Sequence, residues 1–249
     1  MIYAWVRKTV KWRDEEAFRA QLEPRFAQRV ELWDRSFEIP YHLFRHRVRE
    51  IARESLARAE GVTVVEWDQI PDGALVVPID DDDWLAPGIG PALEAEHLDG
   101  TLGWRWRASS IESPTFLGHR LYLWRRRVLP WLPEKWYCSS NNYALRKGPG
   151  AQDLLKNHML ASHRFKSWRR EGAVRVIDCA LSAINRNLAS QTTLRFAQQR
   201  LGRAELLRKY RRYRRLYRQP LHEELRWCQP YVARMAELMD DLRLRDSAR

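Results

Sequence analysis

Four consecutive aspartates, Asp80 to Asp83, close the run Ala74-Leu75-Val76-Val77-Pro78-Ile79, and Trp84-Leu85-Ala86-Pro87-Gly88 follows them. Like charges side by side repel, so a fold holds them together at a cost unless something positive belongs there. Carboxylates at this density suit a hard divalent cation, Mg²⁺ or Mn²⁺, which takes oxygen ligands and usually keeps water and substrate phosphates in its shell. One or two of them at a strand end suffice to anchor the ion, which would neutralise a diphosphate leaving group. If the segment bends, either Asp80 with Asp82 or Asp81 with Asp83 would serve. A solvated acidic turn is the plainer alternative, and the apolar residues on both sides weigh against it.

The cluster stands against a basic background. The 249 residues carry 44 Lys and Arg against 32 Asp and Glu, a net charge of +12, which points to a polyanionic neighbour: nucleic acid, an anionic membrane or a phosphorylated substrate. Hydrophobic residues at 45% and aromatics at 11% are enough for a packed core. No apolar run approaches the roughly 20 residues of a spanning helix, so no transmembrane segment is expected. The opening Met1–Lys8 turns charged too soon for a secretory signal, and the expectation is a soluble, cytoplasmic protein. Cys138, Cys179 and Cys228 are odd in number and lack CxxC or Cys/His spacing, which argues against a disulfide framework or structural zinc.

Elements must position the aspartates. Residues 2–10 are rich in β-branched and aromatic types and predict a first strand. Asp14 is placed to cap a helix through Ala17, Phe18, Leu22 and Phe26, with Pro24 against its continuation. Val30-Glu31-Leu32-Trp33 predicts a second strand ending at Asp34, and residues 41–59 a helix. Strands at Val62–Trp67 and Ala74–Ile79 flank the Pro71-Asp72-Gly73 turn. A short helix at Ala92–His97, strands at Thr101–Ser110 and Trp136–Leu145, and a late strand Val174–Ile177 follow. Helix–strand alternation of this kind implies an α/β fold with a largely parallel sheet, in which ligands bind beyond the carboxyl ends of the strands. The aspartates occupy such an end, and so does Asp178. Trp104 and Trp106 share a strand face, either as core tryptophans or as a platform for a sugar.

The segment Ile79-Asp80-Asp81-Asp82-Asp83-Trp84-Leu85-Ala86-Pro87-Gly88 resembles the D-x-D-D-aromatic-L-x-P-G segment of nucleotide-sugar glycosyltransferases of the GT-A fold, especially the family-2 type and bacterial rhamnosyltransferase-like proteins. The resemblance spans residues 2–190 and implies a GT-A-like, mostly parallel mixed sheet flanked by helices, a nucleotide-sugar donor, and a glycan or other hydroxyl acceptor. It makes Asp80 and Asp82 the DxD pair holding Mn²⁺ or Mg²⁺, with Asp80 also near the ribose and Asp83 closer to the donor sugar. It makes Asp34 the contact to the base. A third metal ligand is implied late in the domain, with His158, His163 and Asp178 as candidates. The catalytic base is implied at a helix start, where "GPGAQDLLKNHML" offers Asp153 in Gln152-Asp153 instead of the family's Glu-Asp. "SSNNYALRKG" resembles the strand behind the donor site, with Asn142, Arg146 and Lys147 as contacts to acceptor or diphosphate.

Beyond residue 190 the character changes to basic helix, and 191–249 is read as a helical extension. Residues 201–249 hold 13 Lys and Arg against 7 Asp and Glu. In "RKYRRYRRLYR", Tyr210, Tyr213 and Tyr217 fall on one helical face with arginines around the rest. The tyrosines either pack on the domain, or the helix meets an anionic membrane, or it contacts nucleic acid with tyrosines stacked on bases. The expectation is a metal-dependent glycosyltransferase. The competing class is a basic nucleic-acid-binding protein, and a transferase acting on modified nucleic acid would use both features.

Overall fold

The computed structural model describes residues 1–7, 24–107, 109–111, 141–190 and 202–245. Its centre is a six-stranded sheet in the order β2-β1-β3-β6-β5-β7. The strands are β1 (Ile2–Arg7), β2 (Val62–Val64), β3 (Leu75–Asp80), β5 (Gly103–Trp106), β6 (Tyr143–Arg146) and β7 (Val174–Ile177). β1 runs parallel to β2 and β3, β5 runs parallel to β7, and β6 is antiparallel to both of its neighbours. Five strands therefore share one direction, giving the mostly parallel mixed sheet of an α/β protein. A separate pair, β4 (Trp84–Leu85) with β8 (Ser182–Ala183), ties the residues after the aspartates to the segment before Asn185.

Alternation along the strands feeds two cores. Ile2, Ala4, Val77, Ile79, Trp104 and Trp106 face one side with Ile89 and Leu93 of α3 (Ile89–Ala95). Gly90 lets α3 lie close against the turn that follows α2 (Tyr41–Ala57), since a Cβ there would fall 2.0 Å from the Glu60 carbonyl oxygen. On the other side Val76, Tyr143 and Leu145 pack on α4 (Ala151–Lys156) and α5 (His158–Arg170). Trp104 and Trp106 are thus core residues, less than 2% exposed.

The largest apolar cluster joins α1 (Pro24–Ser36) and α2 to the C-terminal helices α6 (Arg203–Leu216) and α7 (Gln229–Asp241), with Trp84 among them. Tyr210, Tyr213 and Tyr217 are buried in it. The basic helix expected beyond residue 190 thus shares its core with the helices that precede the aspartates.

One expected strand is corrected. Val30–Trp33 lies inside α1, because Phe26, Val30, Trp33 and Phe37 recur at helical spacing and are all buried. Pro24 begins this helix, where its missing N–H costs nothing. The helix expected from Asp14 lies mostly outside the described residues, as does Cys138. Cys179 and Cys228 are free thiols.

Candidate functional site

Register places the site. Val76 pairs with Leu145, Leu145 with Gly103, and Gly103 with Val174. Counting on by four residues reaches Asp80, Arg107 and Asp178, and counting back along β6 reaches Asn141. Arg7 pairs directly with Asp80. One row at the carboxyl edge of the parallel strands thus reads Arg7, Asp80, Asn141, Arg107, Asp178. The chain then turns sharply, with the Asp83 N–H donating to the Asp80 carbonyl at 3.1 Å.

Each aspartate meets a different environment. Asp81 lies between Arg45, 2.7 Å away, and Arg49, with which it pairs at close range. Asp83 is 2% exposed and accepts from the Asn185 backbone and the Asn141 side chain, both at 2.9 Å. Through Oδ2 alone, Asp82 accepts from Arg45 at 2.6 Å, Asn187 at 3.0 Å and Ser190 at 3.2 Å. Asp80 meets Arg7 through Oδ1 at 3.0 Å, and its side chain remains 41% exposed. Among the described residues, Asp80 Oδ2 and Asp82 Oδ1 take no hydrogen bond, and neither is a sealed-off buried atom.

The electrostatics follow from this crowding. Burial works against the charge of Arg45, and the Asp82 and Asp81 carboxylates outweigh it, so its pKa rises and the guanidinium stays charged. Burial pushes Asp83 well above the ordinary carboxylate range, assisted by Asp80 and Asp82. Asp80 is raised to about 6, chiefly by desolvation, with Arg7 pulling the other way and Asp82 and Asp81 adding to the rise. With Asp83 and Asp80 both pushed toward the protonated form, four carboxyl groups face three arginines and cannot all ionise easily without a further positive charge.

The residues expected in the site separate into groups. Asp80, Asp82 and Asp83 share the turn. Asp178 reaches the same row, but β7 lies three strand spacings from β3, about 14 Å. It is exposed and held by Arg107 at 2.6 Å. Arg146 pairs with Leu75, five residues back from Asp80 and about 17 Å along the strand. There it donates to the carbonyls of Thr101 at 2.8 Å and Gly73 at 3.1 Å. Lys147 bonds the Ile70 carbonyl at the same edge. Because β6 is antiparallel, the end of this strand points away from the aspartates.

Asp34 accepts from the Tyr41 N–H at 2.8 Å, securing the start of α2. Asn142 donates to the Trp106 carbonyl at 3.0 Å. Asp153 and His163 are exposed on α4 and α5. His158 lies nearer the site, its pKa lowered by partial burial and by Arg7, which itself donates to the Leu155 carbonyl at 3.0 Å. Among the described residues no group of three or more His, Cys, Asp or Glu side chains is placed to hold a metal.

The sequence reading missed Arg7, Arg45, Arg49 and Asn141; the stretch "VRVIDCALSAINRNLAS" resembles the late strand and Asn/Ser-containing loop of the rhamnosyltransferase-like group, but Asn185, Asn187 and Ser190 are not singled out within it by sequence alone. Arg45 did leave a signal: it sits in the stripe Tyr41, Phe44, Val48, Ala52, where a charge requires a buried counter-charge. Tyr217 extends the network, donating from its hydroxyl to Asn185 Oδ1 at 2.9 Å. No model of a known protein family matches the chain, and no curated protein shows significant similarity to it.

Proposed function

We propose that the protein is a metal-dependent glycosyltransferase of the GT-A type, passing a sugar from a nucleotide-diphosphate donor to a hydroxyl acceptor. The observation that carries this reading is the unequal use of the four aspartates. Asp81 and Asp83 are consumed by protein partners, whereas Asp80 and Asp82, spaced as DxD, each keep one oxygen outside the network. Both stand where open α/β sheets bind ligands.

Those two oxygens fit a hard cation that takes one or two carboxylates and completes its shell with water and phosphate. When bound, Mn²⁺ or Mg²⁺ would neutralise the diphosphate as it leaves. Arg45, Asn187 and Ser190 hold Asp82 through its other oxygen, and Arg7 does the same for Asp80, so both free oxygens are fixed before any ligand arrives. Without a cation the Asp80 pKa is raised to about 6, so a cation there would compete with a proton and bind more weakly as pH falls through that value.

Thermal denaturation with UDP, GDP or dTDP, with and without Mn²⁺, tests the reading. At a hundredfold excess over Kd the correct nucleotide should add about 2.7 kcal/mol, or roughly 5–10 °C. The gain should require the metal and vanish in Asp82→Asn and Asp80→Asn. If no nucleotide stabilises the protein with Mn²⁺ present, the proposal fails.

A further inference from the structure

Helix α6 has two faces of opposite chemistry. Leu206, Tyr210, Tyr213 and Tyr217 are buried. On the opposite side Arg208, Arg211, Arg212, Arg215 and Arg218 are all exposed, along about 15 Å of helix. Acids meet this row at its ends: Glu205 pairs with Arg208 at 2.7 Å, and Asp240 pairs with Arg218 and with Arg214 beside the row. Arg211 and Arg215, one turn apart at its middle, have no acidic partner among the described residues. The neighbouring α1 adds to the field. Lys209 has its pKa lowered by burial and, against the pull of Glu205, by Arg208, Arg29 and Arg212, so Arg29 of α1 stands beside the same patch.

We infer that this face of α6 is a docking surface for an anionic lipid bilayer. The buried tyrosines decide against single-stranded nucleic acid, since no ring of the helix is presented for a base to stack on. What remains is a convex row of guanidiniums, a shape that meets a plane of phosphate headgroups along its whole length. None of the described residues of α6 is an exposed large hydrophobic, so the contact is coulombic and lies on the headgroups without insertion. The tyrosine face fixes the helix in the core, so docking needs no refolding. The inference is independent of the transferase reading, because it involves neither nucleotide nor metal.

Co-sedimentation of the full chain with lipid vesicles tests it. The protein should pellet with phosphatidylcholine vesicles containing phosphatidylglycerol, stay in solution with phosphatidylcholine alone, and be released by salt. The partition coefficient should fall about fivefold per arginine removed in Arg211→Gln and Arg215→Gln. The doubly substituted Arg211→Lys, Arg215→Lys chain should retain binding, because charge and not guanidinium geometry is required. Circular dichroism of each variant checks that the helix persists. The inference is overturned if the wild type ignores phosphatidylglycerol, if the double Gln variant binds as well as the wild type, or if an oligonucleotide binds this face more tightly than the vesicles do.

Discussion

Two runs of like charge in this chain meet opposite fates. Asp81, Asp82 and Asp83 are drawn inward while Asp80 stays partly exposed, and the four are divided among Arg7, Arg45, Arg49 and a set of amide and hydroxyl donors. The arginines of α6 stay on the outside, where Glu205 and Asp240 meet the two ends of their row. Composition alone does not distinguish these outcomes. The chain on either side does, since Ile79 and Trp84 pull the aspartates inward while the α6 tyrosines occupy the inner face in place of the arginines. A buried charge run must be answered residue by residue, whereas an exposed one can wait for a partner.

The sharpest way to break that contrast is to remove the central counter-charge. Arg45→Met should destabilise the fold by about 3–5 kcal/mol, because Asp81 and Asp82 would lose the guanidinium that compensates their burial. Urea unfolding measures it, and a loss as small as that of a surface variant would show the network to be dispensable. Next in size is Tyr217→Phe, which removes the hydroxyl bonded to Asn185 and should cost about 1–2 kcal/mol by the same assay.

A smaller effect depends on pH. With its pKa raised to about 6, Asp80 binds a proton more tightly folded than unfolded, so its ionisation weakens the fold. That cost is present above about pH 6 and disappears as pH falls toward 4. Asp80→Asn should therefore be the more stable protein at pH 8 without metal, by no more than about 1 kcal/mol after solvent screening, with the gap closing at low pH. Parallel melting curves across that range give the comparison. Smallest of all, Arg215→Gln should shift stability by less than about 0.5 kcal/mol. A larger shift would mean that the outer row also serves the fold.

The strand and turn at Leu75–Asp83 were legible because a short apolar run followed by clustered acids has few other folds. The helix through Val30 was not, since four residues rich in apolar types show no period, and the stripe emerges only when Phe26 and Phe37 are included. Arg146 shows a different limit. Sequence marks its strand but not the strand's direction, and antiparallel pairing carries it to the far edge. Asp178 lies in the right row, but the lateral order of strands puts it out of reach. Arg45 lies 37 residues before Asp82, and which charge answers which across that distance is settled only by packing.

The order of these partners along the chain has a consequence for synthesis. Arg7, Arg45 and Arg49 precede the aspartates, so the counter-charges are already synthesised when the acidic turn is made. Asn185, Asn187, Ser190 and Tyr217, which aim the carboxylates, come later. Tyr217 follows Asp83 by more than 130 residues, roughly ten seconds or more of translation. The counter-charges are thus synthesised early and the aligning groups late, and the geometry of the acidic turn is complete only with the helices that close the fold.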